Sequence, residues 1–289
     1  MVQILLTGAG GQLGTDIVRA AENNTAVDVQ AFDRSKFDVT RLSDLHIIEA
    51  IDPDVIIHAG AYTAVDACET EVDTAMAVND KGTAALVDVA QANGARVIYV
   101  STDYVFDGTK AEPYVETDEP NPASVYGRSK LAGERHVGSL GDDGLVVRTS
   151  WVCGAYGSNM VKTILRVAEA HDTLTFVDDQ IGKPTFTNDL AETLLMLATR
   201  SDSGIMHVTN ERAVSWYEFC REVLDAAGLD PDRVKPCATH ELQPPRPAPR
   251  PANSVLANTR FEELGLPLLR DFREPLDEAV ATVQAENVK

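Results

Sequence analysis

The sequence predicts an α/β protein, with a doubly wound parallel sheet followed by a smaller C-terminal α/β region. Three observations lead there. Short apolar runs alternate with longer helical patterns through the first half, as parallel strands joined by right-handed crossovers require. The first apolar run enters a glycine-rich loop directly, Gly8-Ala9-Gly10-Gly11-Gln12-Leu13-Gly14. After Trp151 the rhythm changes to shorter, less regular segments. The predicted division is residues 1–150 and 151–289, with some later segments returning to the first sheet.

Taken in order, residues 2–7 read as a strand, followed by the glycine turn and a helix through Ala21. Residues 27–32 are a second strand, 42–51 a helix and 54–59 a buried strand carrying Val55, Ile56 and Ile57. One helix is expected over 74–93, closed by Gly94, then a strand over 96–101, a helix over 126–137 and a strand over 145–149. In the second part, helices are expected over 160–170, 189–199, 216–227 and 274–285, with strands over 174–177 and 205–209. Ser215 is placed to cap the 216–227 helix and Gly228 to end it. Pro244–Pro251 alternates Pro with Arg and Ala, a pattern that favours polyproline II. It reads better as a substrate-side loop than as a ligand for an SH3-type partner.

The bulk numbers narrow the function. Lys and Arg total 25 against 45 Asp and Glu, a net charge of −20. So acidic a chain repels nucleic acid and anionic membrane, and neither is expected as a partner. Arg outnumbers Lys 17 to 8, and scarce Lys with abundant carboxylates suggests a halophile, beside the plainer reading of an acidic mesophilic enzyme. No run approaches the ~18 apolar residues of a membrane helix, and residues 2–6 are too short for a signal core, so a cytoplasmic protein is expected. Cys68, Cys153, Cys220 and Cys237 form no C-x-x-C pair and no zinc-like spacing, and no metal is expected.

Gly8, Gly11 and Gly14 make G-x-x-G-x-x-G between a strand and a helix, with Gly10 in addition. A residue without Cβ lets the backbone approach a pyrophosphate, and the helix N-terminus offers free N–H groups to the anion. The strand before and the helix after make this a Rossmann-like dinucleotide site, in which Gln12 and Leu13 also fall. Asp33 ends the second strand, about 20 residues past the glycines, where a carboxylate accepts from an adenosine ribose and favours NADH. Arg34 beside it suits the 2′-phosphate of NADPH, so dual use stays open. Asp38 and Val39 either cover the adenine or merely form a turn. Ala59, Gly60 and Ala61 are small enough to let the third strand pass close to the cofactor.

Tyr126-Gly127-Arg128-Ser129-Lys130 is Y-x-x-x-K at a helix start, and i,i+4 spacing puts both side chains on one face. A phenol with a pKa near ~10 is a poor proton donor at neutral pH unless an ammonium stabilises its anion. Tyr126 so tuned can protonate a ketone oxygen as hydride reaches the carbon. The strand ending Ser101-Thr102-Asp103 supplies a hydroxyl, Ser101 or Thr102, at the sheet edge where ligands sit.

Together, the glycine motif, S-T-D-Y-V-F and Y-G-x-S-K resemble the extended short-chain dehydrogenases/reductases. Residues 61–69, 148–152, 182–185 and 250–254 narrow the resemblance to the branch that makes dTDP-L-rhamnose. That resemblance implies reduction of the C4 ketone of dTDP-4-dehydrorhamnose by NADPH or NADH. It implies Tyr126 as general acid, Lys130 as its tuner and ribose anchor, and Thr102 as ligand of the carbonyl oxygen. Thr63, Val65 and Trp151 would lie along the sugar nucleotide, with Asp103 near it and Arg250 and Asn253 reaching in from the second region. Trp151 reads equally well as a core residue. A homodimer is within the resemblance, but Asn188 stands where a metal-bridged dimer would want an acid near Asp16. Two alternatives share the fold: an epimerase or dehydratase, for which Asp103 could be an acid, and a non-catalytic subunit like the regulatory one of methionine adenosyltransferase.

Overall fold

The computed structural model describes residues 1–287. Strand β1 (Val2–Thr7) leads through the glycine loop into α1 (Gln12–Ala21), β2 (Val27–Phe32), α2 (Leu42–Ile51) and β3 (Val55–His58). Short helices α3 (Val65–Cys68) and α4 (Val72–Met76) precede a π-helical turn (Ala77–Gly82) and α5 (Thr83–Ala92). Then come β4 (Arg96–Thr102), α6 (Val125–Gly138) and β5 (Gly144–Thr149). The second part contains β6 (Val152–Cys153), α7 (Met160–Ala170), β7 (Leu174–Val177), β8 (Ile181–Gly182) and β9 (Thr185–Phe186). It continues through α8 (Thr187–Ala198), β10 (Gly204–His207), β11 (Val214–Ser215), α9 (Trp216–Ala226), β12 (Val234–Cys237), α10 (Thr259–Glu263) and α11 (Arg273–Asn287).

Six strands form one parallel sheet in the order β10-β5-β4-β3-β1-β2. Helices cover both faces, so the inner strands are apolar on both sides: Ile4, Leu5, Leu6, Ile56 and Ile57 have no exposed surface. Helices α1 and α8 pack on one face and α2, α5 and α6 on the other. The chain runs outward from β1 in both directions, making a switch point between β1 and β3. A crevice opens there at the strands' C-terminal ends.

β10 joins the sheet beside β5, and α8 packs on α1, although both come from after residue 151. A separate cluster around Phe186, Phe219, Phe272 and Val280 unites α7, α9 and α11. Three small two-stranded pairings sit with it. Ser215 caps α9 through a full capping box with Glu218, as its position predicts.

The single helix expected over 74–93 forms as one continuous helical run, residues 72–92, with a π turn inside it. Its Ala77–Gly82 stretch is a wide π turn, which redirects carbonyls from the regular ladder. The Asn79 carbonyl accepts instead from Thr83 Oγ1 at 2.9 Å and from the Tyr99 hydroxyl at 3.4 Å. Sequence periodicity does not register one inserted residue when Ala and Val lie on both sides of it.

Candidate active site

A cavity of about 1060 Å³ opens at the switch point and runs to the boundary with the second cluster. At one end Gly8, with φ +78°, packs so tightly under Gly60 that a Cβ would lie 2.7 Å from the Gly60 nitrogen. Helix α1 starts at Gln12 with Gly11 as N-cap and no side chain capping it. Its first N–H groups are therefore available at the cavity wall, a positive end that suits a pyrophosphate. Gly10, Gly11, Gln12 and Leu13 line this end with Ala59, Gly60 and Ala61. These residues fit a dinucleotide.

Asp33, Arg34, Asp38 and Val39 form the rim beside them. Asp33 Oδ1 accepts from Ser35 N at 2.8 Å and Ser35 Oγ at 2.5 Å, and these bonds hold its pKa below the usual carboxylate range. Arg34 is largely exposed and touches Asp38 at 3.4 Å. Asp38 also accepts from Thr40 N and Oγ1 at 3.0 and 2.7 Å, so it forms a turn as well as lining the cavity.

Beneath this rim is a buried relay. Thr83 Oγ1 donates to the Asn79 carbonyl, so it must accept from His58 Nε2, 3.2 Å away. His58 Nδ1 is then the acceptor for the Thr7 hydroxyl at 2.7 Å, and Thr7 Oγ1 accepts from Gly60 N at 3.3 Å. The hydrogen bonds assign one neutral tautomer. Burial, assisted by the Lys130 charge, lowers the His58 pKa to about 3. Asn79 extends the relay to Tyr62, through its side-chain oxygen and amide, and to Ser129 Oγ on α6.

Tyr126, Lys130 and Thr102 all face the cavity, with Ser101 beside them. Ser101 is drawn away, donating to Glu134 Oε1 at 2.5 Å, and Thr102 is the hydroxyl nearer the phenol. Lys130 is 2 % exposed. Its ammonium donates to the Val100 carbonyl at 2.8 Å and lies 3.9 Å over the Tyr99 ring. Burial lowers its pKa to about 7 against the opposing pull of Glu134. Glu134 is itself held by Arg148 at 2.7 Å in a buried ion pair.

The expected tuning of Tyr126 by Lys130 is not what this geometry does. Burial is the largest influence on the phenol and pushes its pKa well up, with Asp103 and Tyr104 adding to the rise. The Lys130 ammonium bonds a carbonyl instead. Tyr126 is therefore neutral, which is the form a proton donor needs.

At the far end, Thr63, Val65, Asp103 and Trp151 line the cavity as expected. Trp151 has φ +47° and stacks on Trp216 with centroids 3.6 Å apart. It is thus both a wall of the cavity and part of the second cluster. Arg250 and Asn253 depart from expectation, since neither lines the cavity. Arg250 is bound to Asp66 at 2.6 and 2.8 Å. Asn253 Nδ2 donates to the carbonyls of Lys110, Ala111 and Glu112. A guanidinium and an amide in a loop look alike in sequence whether they meet a ligand or the chain itself.

Sequence reading passed over Tyr62, Tyr104, Met160 and Trp216, all of which line the cavity. Tyr104 stood inside a motif already noticed. Trp216 carried no signal, being 65 positions from the ring it stacks on. Asp16 accepts from Thr187 and its pKa is raised by burial, while Asn188 donates to Glu278 at 3.1 Å. No cluster of metal-binding side chains occurs among the described residues.

A dinucleotide cradle at a switch point, with a buried Tyr–Lys pair beside it, defines an NAD(P)H-dependent oxidoreductase of the short-chain type. The chain belongs to the RmlD substrate binding domain family, whose model matches residues 2–285. It is 41% identical over 275 residues to a dTDP-4-dehydrorhamnose reductase of Aggregatibacter actinomycetemcomitans, covering 91% of this chain and 93% of the relative. Its fold matches a dTDP-4-dehydrorhamnose reductase of Clostridium acetobutylicum with a TM-score of 0.93, at 40% identity over 98% and 99% of the two chains. A Bacillus anthracis dTDP-4-dehydrorhamnose reductase in complex with NADP matches with a TM-score of 0.89, at 34% identity over 99% of each.

Proposed function

We propose that this protein reduces the C4 ketone of dTDP-4-dehydrorhamnose to give dTDP-L-rhamnose. The observation that carries the reading is one cavity that joins an uncapped helix N-terminus to a neutral, buried Tyr126 and then to the Trp151–Trp216 wall. NADPH or NADH, when bound, supplies the hydride. Residues 1–150 hold it, through Gly8, Gly10, Gly11, Gln12 and Leu13 at the pyrophosphate and Asp33, Arg34, Asp38 and Val39 at the adenosine. Ala59, Gly60 and Ala61 pass beneath it, and Lys130 anchors the nicotinamide ribose.

Tyr126 gives its proton to the ketone oxygen, and Thr102 orients that oxygen. Residues 151–289 mainly bind the sugar nucleotide, with Trp151 along it and Thr63, Val65 and Asp103 contributed from the first part. Arg250 acts indirectly, bracing Asp66 and Tyr104. Asn253 clips the loop at Lys110–Glu112. The acidic, Lys-poor composition suits a cytoplasmic enzyme working in high salt, with neither nucleic acid nor membrane as partner. No helix among the described residues is long and apolar enough to cross a membrane.

The test follows absorbance at 340 nm with purified protein, NADPH or NADH, and enzymatically made dTDP-4-dehydrorhamnose, at low and high salt. Oxidation of the cofactor is expected, and its absence in every condition would overturn the reading.

A further inference from the structure

Asp103 is a buried carboxyl in the cavity wall that is only partly satisfied. It is 2 % exposed, and its Oδ2 atom has no hydrogen-bond partner. The Ser254 hydroxyl lies near it, but that hydroxyl makes only a long bond of 3.4 Å to the Ile181 carbonyl. A buried carboxylate oxygen left without a donor is costly. Asp103 Oδ1 has one side-chain donor, the Thr102 hydroxyl at 3.0 Å.

That bond matters for the reaction. A threonine hydroxyl has one proton and two lone pairs. In this arrangement Thr102 gives its proton to Asp103 and accepts from Tyr104 N at 3.2 Å. The remaining lone pair can accept from the neighbouring Tyr126 phenol. Thr102 then has nothing to donate to a ketone oxygen, which is the role the proposed reduction asks of it.

We propose that Asp103 works as a neutral carboxylic acid and is the positioning residue that turns the Thr102 hydroxyl toward the substrate oxygen. The Asp103 O–H donates to Thr102 Oγ1 across the same short gap, and the hydrogen bond reverses direction. The Thr102 proton is released toward the oxygen that Tyr126 protonates. Two donors then meet the oxygen on which charge develops. Asp103 keeps its proton throughout and takes no direct part in proton transfer to the ketone.

The surroundings favour this form. Burial is the main influence on Asp103 and raises its pKa to about 6, opposed by the Ser254 and Thr102 hydroxyls and by backbone N–H groups. The neighbouring phenols of Tyr104 and Tyr126 are neutral, both pushed up by burial. The Arg250–Asp66 ion pair stands behind Tyr104. Burial lowers the pKa of Lys130, on α6, to about 7. An incoming diphosphate adds negative charge and raises Asp103 further.

The inference rests on the proposed reduction, and the tests separate the two. Calorimetric binding of dTDP-L-rhamnose near neutral pH, in buffers of different ionisation enthalpy, should show uptake approaching one proton per site in the wild type and almost none in Asp103→Asn. Failure of the wild type to bind that product refutes the proposed function. Binding with equal uptake in both proteins overturns this inference. Kinetically, Asp103→Ala should lower kcat/KM about tenfold, and Asp103→Asn, whose amide can donate at any pH, should recover most of the loss. Its alkaline decline should begin at a higher pH than in the wild type, where Lys130 takes over. In a Thr102→Val background the Asp103 substitutions should have no further effect. An unshifted decline, or additive losses, would show that Asp103 does not act through Thr102.

Discussion

At the glycine end of the cavity, the lining segments lie at the C-terminal ends of sheet strands: Gly8 after β1, Asp33 after β2, Ala59 after β3 and Thr102 at the end of β4. Each is held by neighbours close in sequence or by strand pairing. At the tryptophan end, Trp151 comes from the bend after β5 and Trp216 from the first turn of α9, and the two meet by stacking. Trp151 adopts a backbone angle that non-glycine residues seldom take, at a cost of about 1–3 kcal/mol. Gly182 leaves it room, because a Cβ there would lie 2.5 Å from the indole. The first end is a scaffold on which any short-chain reductase can be built, while the second is a surface assembled by the packing of a second cluster. Chemistry should therefore depend on the first end and substrate choice on the second.

The largest effect should come from Tyr126→Phe. It removes the proton donor and should lower kcat by about 10²–10⁴-fold, with an unchanged melting temperature and unchanged NADPH fluorescence on binding. A residual rate above one-tenth would point to another donor. Next comes Gly14→Ala, whose Cβ would collide with the Gly8 carbonyl and Ala9. A loss of about 2–3 kcal/mol in urea unfolding, together with weakened cofactor binding, is expected. Retained stability would mean the loop can relax.

A pH prediction sharpens the scaffold side. His58 has its folded pKa at about 3, below its unfolded value of ~6.5. The unfolded chain therefore takes up the proton first as pH falls, and stability drops between about pH 6.5 and pH 3. From this group alone, pH 5 should be less stable than pH 7 by about 2 kcal/mol. Urea unfolding of the wild type and of His58→Gln at the two pH values checks it, since the variant should lose that part of the slope.

The smallest effect should fall at the tryptophan end. Trp216→Ala should raise KM for the sugar nucleotide about tenfold while leaving KM for NADPH alone. An equal rise in both would break the distinction between the two ends.

What the residues alone determined was whatever is written in contiguous stretches. Strand and helix order, the glycine cradle, the Tyr126–Lys130 face and the Ser101–Thr102 strand end all depend on spacings shorter than a dozen residues. Local periodicity and backbone chemistry dictate such features before any long-range contact forms. Tertiary structure decided the rest. It chose Thr102 over Ser101 by drawing Ser101 to the buried Glu134–Arg148 pair. It turned Lys130 to the Val100 carbonyl and left Tyr126 protonated by burial. It paired Arg250 with Asp66, set Trp216 against Trp151, and returned β10 to the sheet. Burial, charge pairing and stacking are properties of neighbours in space, and these neighbours are tens to hundreds of positions apart in the chain.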